Sequence, residues 1–210
     1  MIIDAVVDSE NYYDGRNCYV PHKHGLTTSM SAHWDNNLVD TDAVLSWYYN
    51  DCVKAGPQVC PIYEPTTEKI HHRIITQLER LRVEPVVVFN STSDMHGVVD
   101  YSLVKWQLFL VLFYPGRRGM DFARAFVALE SGDAEPMWTA SPESARMSLL
   151  KCECPAEGDT SYDGDFVGVA IRCGDVRRVR DSLDDLKKYF EKLSTQSFFA
   201  DLFNVRVGCA

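Results

Sequence analysis

The chain has 210 residues, of which 46% are hydrophobic and 24% charged, and its formal net charge is −9. This composition is typical of a soluble globular protein and excludes wholesale disorder. The acidic balance argues against a general nucleic-acid binder, which would need a basic surface to replace phosphate counterions. The length suits one domain with its own core, or a domain with an appendage.

The chain opens on an apolar, β-branched run, MIIDAVVD, followed by a polar stretch at Ser9 and Glu10. Such a run predicts a strand that lies inside a sheet covered on both faces. Residues 16–33 show no sustained apolar period and hold three of the six histidines. We expect this segment to be an exposed loop.

Helical signals dominate after residue 37. Helices are predicted within 40–55, 66–84, 101–114, 120–130, 142–150, 181–193 and 198–203. Thr66 or Thr67 is expected to cap the second of these and Asp100 the third, because short polar side chains satisfy the free N–H groups of a first turn.

Three further features punctuate this helical body. Val86–Phe89 predicts a short strand, and Pro115 is interpreted as the stop of the apolar helix before it. The stretch from Cys152 to Asp165 is predicted to be a polar loop. The longest apolar run, Val104–Tyr114, falls well short of the ~20 residues that span a bilayer, so a core helix is predicted and not a membrane span.

Seven cysteines leave at least one without an intramolecular partner. Cys52 and Cys60 flank VKAGPQV, a helix stop followed by a turn that folds the chain back on itself. They are therefore predicted to lie close enough for a disulfide in an oxidising compartment. The alternative is a set of seven buried or free thiols.

No group of residues in the sequence matches the pattern of a catalytic triad. The sequence contains no G-x-S-x-G nucleophile elbow. Ser93, Asp94 and His96 are close in sequence, but sequence neighbours seldom meet in triad geometry, so a polar loop is predicted there.

The sequence also shows no recognisable metal site and no phosphate-binding loop. One group has donor types that suit zinc, but its spacing matches no established zinc finger: Cys18, His22, His24 and His33. Cys152-x-Cys154 is too tight to resemble C-x-x-C. No glycine-rich phosphate loop is present.

Two remaining pairs of polar side chains point to no site. His71 and His72 point to different sides of a helix, and Asp184 and Asp185 are expected on a solvated helix face. The residues alone thus predict no catalytic residue, no cofactor-binding residue and no metal ligand.

Six segments in order nevertheless resemble one family, the tripeptidyl-aminopeptidase-like serine peptidases of the α/β-hydrolase fold. The segments are WDNNLVDTD (34–42), CVKAGPQVCPIY (52–63), VDYSLVKWQLFLVLFYPG (99–116), ALESGDAEPMW (128–138), CECP (152–155) and AIRCGD (170–175). The opening strand resembles an inner strand of the hydrolase sheet.

The resemblance implies a mainly α fold: the helical cap, or lid, of an α/β-hydrolase, with one N-terminal core strand and few short strands. Residues 1–15 would be the remnant strand and exit turn of the hydrolase core, and residues 34–210 the helical cap domain. The serine nucleophile would lie before Met1, and the acid and base beyond Ala210.

Residues 16–33 depart from the family, which runs directly from the YYDG-like turn to the tryptophan. This atypical insertion has two explanations, a tolerated surface loop or an unspliced intron translated in frame. In the second case the start and end of the chain would also be gene-model errors.

Two functions follow. The first is the cap of a serine hydrolase that in its complete form cleaves short peptides or small amide and ester substrates, and that is inactive as this chain alone. Trp47, Trp106 and Trp138 could line its substrate pocket, or belong to the core. The second is a non-catalytic helical interaction module derived from a lid. No cofactor, no nucleic-acid partner and no membrane insertion is expected. Self-association through an exposed apolar underside is expected.

The apolar runs VLSWYY and LFLVLFY speak against the second function, because a refined module would have repacked them with polar residues. Relatives in this family are often secreted, but the chain shows no signal peptide, and the sequence assigns no compartment.

Overall fold

The computed structural model describes residues 38–91, 95–141, 170, 173 and 182–202. Helix accounts for 69% of them, which confirms the predicted mainly α class. The elements are α1 (Thr41–Ala55), α2 (Thr67–Val83), β1 (Val86–Asn90), β2 (Met95–Val99), α3 (Tyr101–Phe113), α4 (Pro115–Glu130), α5 (Glu135–Thr139) and α6 (Leu183–Gln196), with a 3-10 turn at Ala200–Leu202. The chain divides into two compact units, Asp42–Cys154 and Met1–Thr41 with Pro155–Ala210.

The predicted caps begin the helices they were expected to begin. The Thr66 hydroxyl accepts a hydrogen bond from the Lys69 N–H at 3.3 Å, so Thr66 is the cap of α2 and Thr67 its first residue. The Asp100 carboxylate accepts from the Leu103 N–H at 2.9 Å at the start of α3. Both satisfy an N–H that has no partner inside the helix.

Cys52 and Cys60 form a disulfide, and their Cα atoms lie 5.4 Å apart. Gly56 makes the turn between them, with a positive φ of 76° that favours glycine at a helix end. Its N–H donates to the Cys52 carbonyl at 3.2 Å, and its carbonyl accepts from the Cys60 N–H at 3.0 Å. The predicted bridge is confirmed. Cys173 is disulfide-bonded as well.

The two strands form an antiparallel hairpin in which Val88 faces Gly97 across the ladder. β1 confirms the predicted strand and adds Asn90 to it. β2 contradicts the polar-loop prediction for its first residues, because Met95, His96 and Gly97 are paired strand residues. Gly97 lies directly under the Trp138 indole of α5, which leaves no room for a side chain there.

The outer face of this hairpin is apolar and open. Val87 is 73% exposed and Phe89 76%, with Val98 on the same face at 46%. The cross-strand pairs on it are Val87 with Val98 and Phe89 with His96. A side chain alternates between the two faces of a strand, so the residues between these turn towards the helices instead.

The helices of this unit pack in chain order, α2 on α3, α3 on α4 and α4 on α5. Seven of the 13 residues of α3 are buried, and Trp106, Leu110 and Phe113 are partly or largely exposed along one side of the helix. α1 joins them through Tyr48, whose hydroxyl donates to the Gly119 carbonyl on α4 at 2.7 Å.

The start of α4 corrects the interpretation of Pro115. The helix begins at Pro115 and not at Met120, so the proline opens α4 as well as closing α3. Proline suits a first helical position because its fixed φ is already helical and the N–H it lacks would have no partner there. Pro115 marks this boundary in the sequence, but the prediction used it only as the end of α3 and not as the start of α4.

A partly buried ion-pair cluster fastens α2 to the last turn of α4. The Arg73 guanidinium donates from Nε and Nη2 to the two Glu130 carboxylate oxygens at 2.8 and 2.6 Å. Its Nη1 lies 3.5 Å from Glu64. The hydrogen bonds to Glu130 are the largest contribution to a raised Arg73 pKa. Such a two-point contact fixes orientation as well as distance.

In the second unit, α6 begins with a capping box. The Ser182 hydroxyl accepts from the Asp185 N–H, and the Asp185 carboxylate accepts from the Ser182 N–H. α6 and the 3-10 turn confirm the helices predicted over 181–193 and 198–203. Within this unit the Thr41 and Ser197 hydroxyls are 2.7 Å apart.

Several predictions fall outside the described residues. These are the strand and exit turn of residues 1–15, the loop of 16–33, the helix of 142–150 and the loop from Cys152 to Asp165. Among the residues that are described, no helix is long and apolar enough to cross a bilayer.

The environment of His71 predicts a pH dependence of stability. Its ring lies 5.9 Å from that of Tyr49, and burial lowers its pKa, an effect that Asp42 opposes and His72 reinforces. The folded state therefore binds this proton less readily than the unfolded chain, whose histidine pKa is about 6.5. Stability should fall as the pH drops below that value, and His71→Gln should reduce the fall.

Urea unfolding between pH 7.5 and 5 measures this effect. His96→Gln is the control, because His96 is exposed on β2 and is not among the groups that act on the pKa of His71. Equal pH profiles for the His71 variant and the unmodified chain would contradict the assignment.

Candidate functional site

The Asp42–Cys154 unit has a recess of about 440 Å³ between α3, α4 and α5, here called the arginine pocket. Its lining residues are Gln107, Tyr114, Arg117, Arg118, Asp121, Phe122, Ala125, Met137 and Ala140. Four of them are buried and form its floor: Gln107, Phe122, Ala125 and Met137. The others form its rim. The volume of this recess falls within the range of small-molecule sites, and its mouth is polar.

One face of α4 supplies most of the wall. Arg118, Asp121, Phe122 and Ala125 recur at intervals of three and four residues, so they share a side of the helix. Arg117 precedes them in the first turn. The wall therefore changes along the helix axis, with two cations at its start, one carboxylate a turn later and apolar groups beyond.

The charges at the start of α4 oppose what a helix start favours. The backbone dipole places partial positive charge there, which stabilises acidic and destabilises basic side chains. Yet the first turn holds Arg117, Arg118 and no acidic residue, and Tyr114 provides no side-chain cap. Within residues 38–91 and 95–141, neither arginine forms an ion pair, and Asp121 forms none with them. Among the described residues, the two guanidinium groups at the pocket mouth thus have no carboxylate partner.

Gln107 adds an unsatisfied amide to the floor. Its side chain is 5% exposed, and its Nε2 has no hydrogen-bond partner among the described residues. A buried N–H donor without an acceptor costs about 1–3 kcal/mol. The Nε2 atom itself is enclosed in the free protein, while Gln107 as a residue contributes to the pocket lining.

This cost predicts that Gln107→Met makes the free protein more stable, by about 1 kcal/mol, because methionine keeps the unbranched shape and removes the orphaned donor. Urea unfolding measures the change. Gln77→Met is the matched comparison, since Gln77 is also buried with an unsatisfied Nε2 but lies outside the pocket. A loss of stability in both variants would show that these amides are satisfied in solution.

The three tryptophans considered as pocket residues lie elsewhere. Trp138 is buried and packs over Gly97, which confirms a core position. Trp106 is half-buried beside Phe109, and Trp47 is 68% exposed. None of them lines the arginine pocket.

The polar residues for which no catalytic or metal site is predicted are only partly within the described residues. His96 lies on the exposed face of β2 opposite Phe89, while Ser93 and Asp94 fall outside the described residues. The candidate zinc donors at 18–33 and Cys152 and Cys154 fall outside them too. Across the described ranges, no three histidine, cysteine, aspartate or glutamate side chains are placed to hold a metal ion. Asp184 and Asp185 are exposed on α6, as predicted.

Sequence reasoning missed the arginine pocket. Gln107 lies in the run Val104–Tyr114 that is predicted as a core helix, and Arg117 and Arg118 lie between two predicted helices and receive no assignment. The available signal was a helix start with two arginines and neither a cap nor an acid, and it required Pro115 to be recognised as the first residue of α4.

Comparison with known proteins adds no relative: no family model, no curated protein and no solved structure matches the chain.

Proposed function

We propose that this chain is the helical cap of a serine hydrolase resembling the tripeptidyl aminopeptidases, and that its task is to hold substrate while residues outside it carry out the cleavage. The observation that carries the proposal is the arginine pocket, a recess walled by three helices with charged groups at its mouth. A cap contributes to hydrolysis by positioning the substrate, and positioning lowers the barrier without any reacting group of its own.

The pocket has the dimensions for this task. Its volume of about 440 Å³ falls in the range of small-molecule sites and can accept part of a short peptide. Its buried floor is apolar apart from Gln107, and its rim offers cations and a carboxylate. Such a lining binds a ligand through a few polar contacts and excludes water from its apolar part.

Catalysis itself is assigned to a nucleophile, base and acid that lie outside residues 1–210 in the complete protein. Acyl transfer requires an activated serine, a base within hydrogen-bond reach and preorganised oxyanion donors. The chain contains no G-x-S-x-G elbow to expose a serine. The reaction proposed for the complete protein is hydrolysis of amide or ester bonds through an acyl-enzyme.

The open face of the hairpin supports a cap over the alternative, a finished interaction module. The exposed side chains of this face form an apolar surface: Val87, Phe89 and Val98. Such a surface is expected of a cap that packs against the rest of a hydrolase in the complete protein. By contrast, seven of the 13 residues of the apolar helix α3 are buried. A hydrophobic dye should bind the chain, and Phe89→Ser should reduce that binding. A monomer that binds no dye would favour the module.

The decisive experiment has two parts. Transcript sequencing should show an in-frame G-x-S-x-G before Met1 and the acid and histidine after Ala210, while an intact transcript without them would overturn the cap assignment. The purified chain should not hydrolyse p-nitrophenyl esters or tripeptidyl anilides above background and should not react with a fluorophosphonate probe. Stoichiometric labelling of one serine, with Ser93 the first suspect, would place the triad inside the chain.

A further inference from the structure

We infer that the arginine pocket binds a carboxylate attached to an apolar group, as in the C-terminal residue of a short peptide or an N-acylated amino acid. This inference deepens the proposed function. It rests on that function only in taking the bound ligand to be a substrate. Binding itself depends on the pocket and not on any hydrolytic step.

The charge at the pocket mouth selects a singly charged anion. Two arginines and one aspartate leave a net charge of +1 on the wall of α4. A carboxylate would neutralise it, whereas a phosphate dianion would leave an excess of negative charge beside Asp121. A guanidinium also matches a carboxylate in shape, because its parallel N–H groups can donate to both oxygens.

An anion would also relieve the strained electrostatics of the α4 start. Arg117 and Arg118 lie beside the positive end of the helix dipole, and no side chain of the described residues compensates them. Sequences that depart from helix rules in this way often do so at functional sites. A bound carboxylate would supply the negative charge that the first turn lacks.

The rest of the pocket defines the body of the ligand. Phe122, Ala125 and Met137 provide an apolar floor for a hydrocarbon side chain. The Gln107 Nε2 is enclosed in the free protein, and rotation of the amide on binding would let it donate to an acceptor of the ligand. Asp121, one turn from the arginines, can accept an N–H, which an amide next to the carboxylate carries. These three features together favour an amino-acid residue over a simple fatty acid or an inorganic anion.

Isothermal titration calorimetry of the purified chain with N-acetyl-L-leucine tests the inference. We expect saturable binding, and at least about tenfold weaker binding of N-acetyl-L-leucinamide, which differs only in lacking the carboxylate. A tenfold loss corresponds to about 1.4 kcal/mol, as expected when one charge-assisted contact is removed. Inorganic phosphate should bind weakly. Equal affinity for the acid and its amide, or phosphate affinity equal to that of the acid, would overturn the inference.

Matched variants separate the pocket from bulk charge and from folding. Arg118→Gln should weaken acid binding about tenfold, and Arg124→Gln should leave it unchanged, because Arg124 is exposed on the same helix outside the pocket. Gln107→Met should weaken binding, and Gln77→Met should not. Equal losses in the two arginine variants would reduce the effect to net charge and contradict the site. Because no hydrolysis is measured, failure here leaves the transcript and labelling tests of the cap unaffected.

Discussion

Replacing Gly97 with alanine is expected to lower the free energy of unfolding by about 3 kcal/mol, at the upper end of the effects of overpacking a core. A Cβ at this position would overlap the six-membered ring of the Trp138 indole. Trp138 is itself only 5% exposed, so the ring has no open space into which to move. Local preference acts the other way, since alanine suits a strand better than glycine does. The loss therefore measures the contact between the hairpin and α5.

Urea unfolding of Gly97→Ala gives this value, and Gly116→Ala is its control. A Cβ at Gly116 meets nothing within 4 Å, so that variant should keep or slightly raise stability. Trp138→Phe in the Gly97→Ala background should recover part of the loss, because phenylalanine lacks the ring atoms that overlap. A Gly97→Ala variant as stable as the unmodified chain would show that the hairpin does not pack against α5.

Removing the disulfide by Cys52→Ala with Cys60→Ala should cost about 2.5 kcal/mol, the loop-closure entropy of a short bridge. The two cysteines are 8 positions apart, so the bridge restricts a small loop of the unfolded chain. In the folded state both cysteine side chains are buried. Each alanine removes one sulfur atom and so leaves only a small cavity. Most of the loss should arise from the greater freedom of the unfolded chain.

Dithiothreitol distinguishes the bond from the packing of the two sulfur atoms. With reductant, the unmodified chain should lose most of its advantage over the double variant, whatever reduction does to the disulfide of Cys173, because that disulfide is present in both proteins. An advantage that persists in reductant would assign the effect to side-chain packing. Identical urea midpoints without reductant would show that the bridge contributes nothing.

The features that the sequence predicted correctly depend on a few residues in direct succession. Thr66 and Asp100 cap helices because their side chains reach an N–H three residues ahead. The Cys52–Cys60 bridge follows from the turn at Gly56, and β1 follows from a run of three valines and a phenylalanine. Each signal is complete within about ten residues, so no knowledge of the tertiary fold was required.

The features that were missed depend on distant partners. β2 contains a glycine, which is a poor strand former, and its strand conformation is supported by pairing with β1 and by Trp138 over Gly97. The arginine pocket combines Gln107 of α3, the first turn of α4 and Met137 of α5. A linear pattern shows that Gln107 is a polar residue in an apolar helix, but only the packing shows which recess it borders.

The order in which the helices pack has a consequence for the speed of folding. α2 contacts α3, α3 contacts α4 and α4 contacts α5, and the hairpin joins strands that are close in sequence. Domains with mostly local contacts fold in about microseconds to milliseconds, because few long loops must close before contacts form. The Tyr48–Gly119 hydrogen bond, which spans 71 positions, is the kind of contact that forms late. Variants at Tyr48 should therefore speed unfolding and leave the folding rate nearly unchanged.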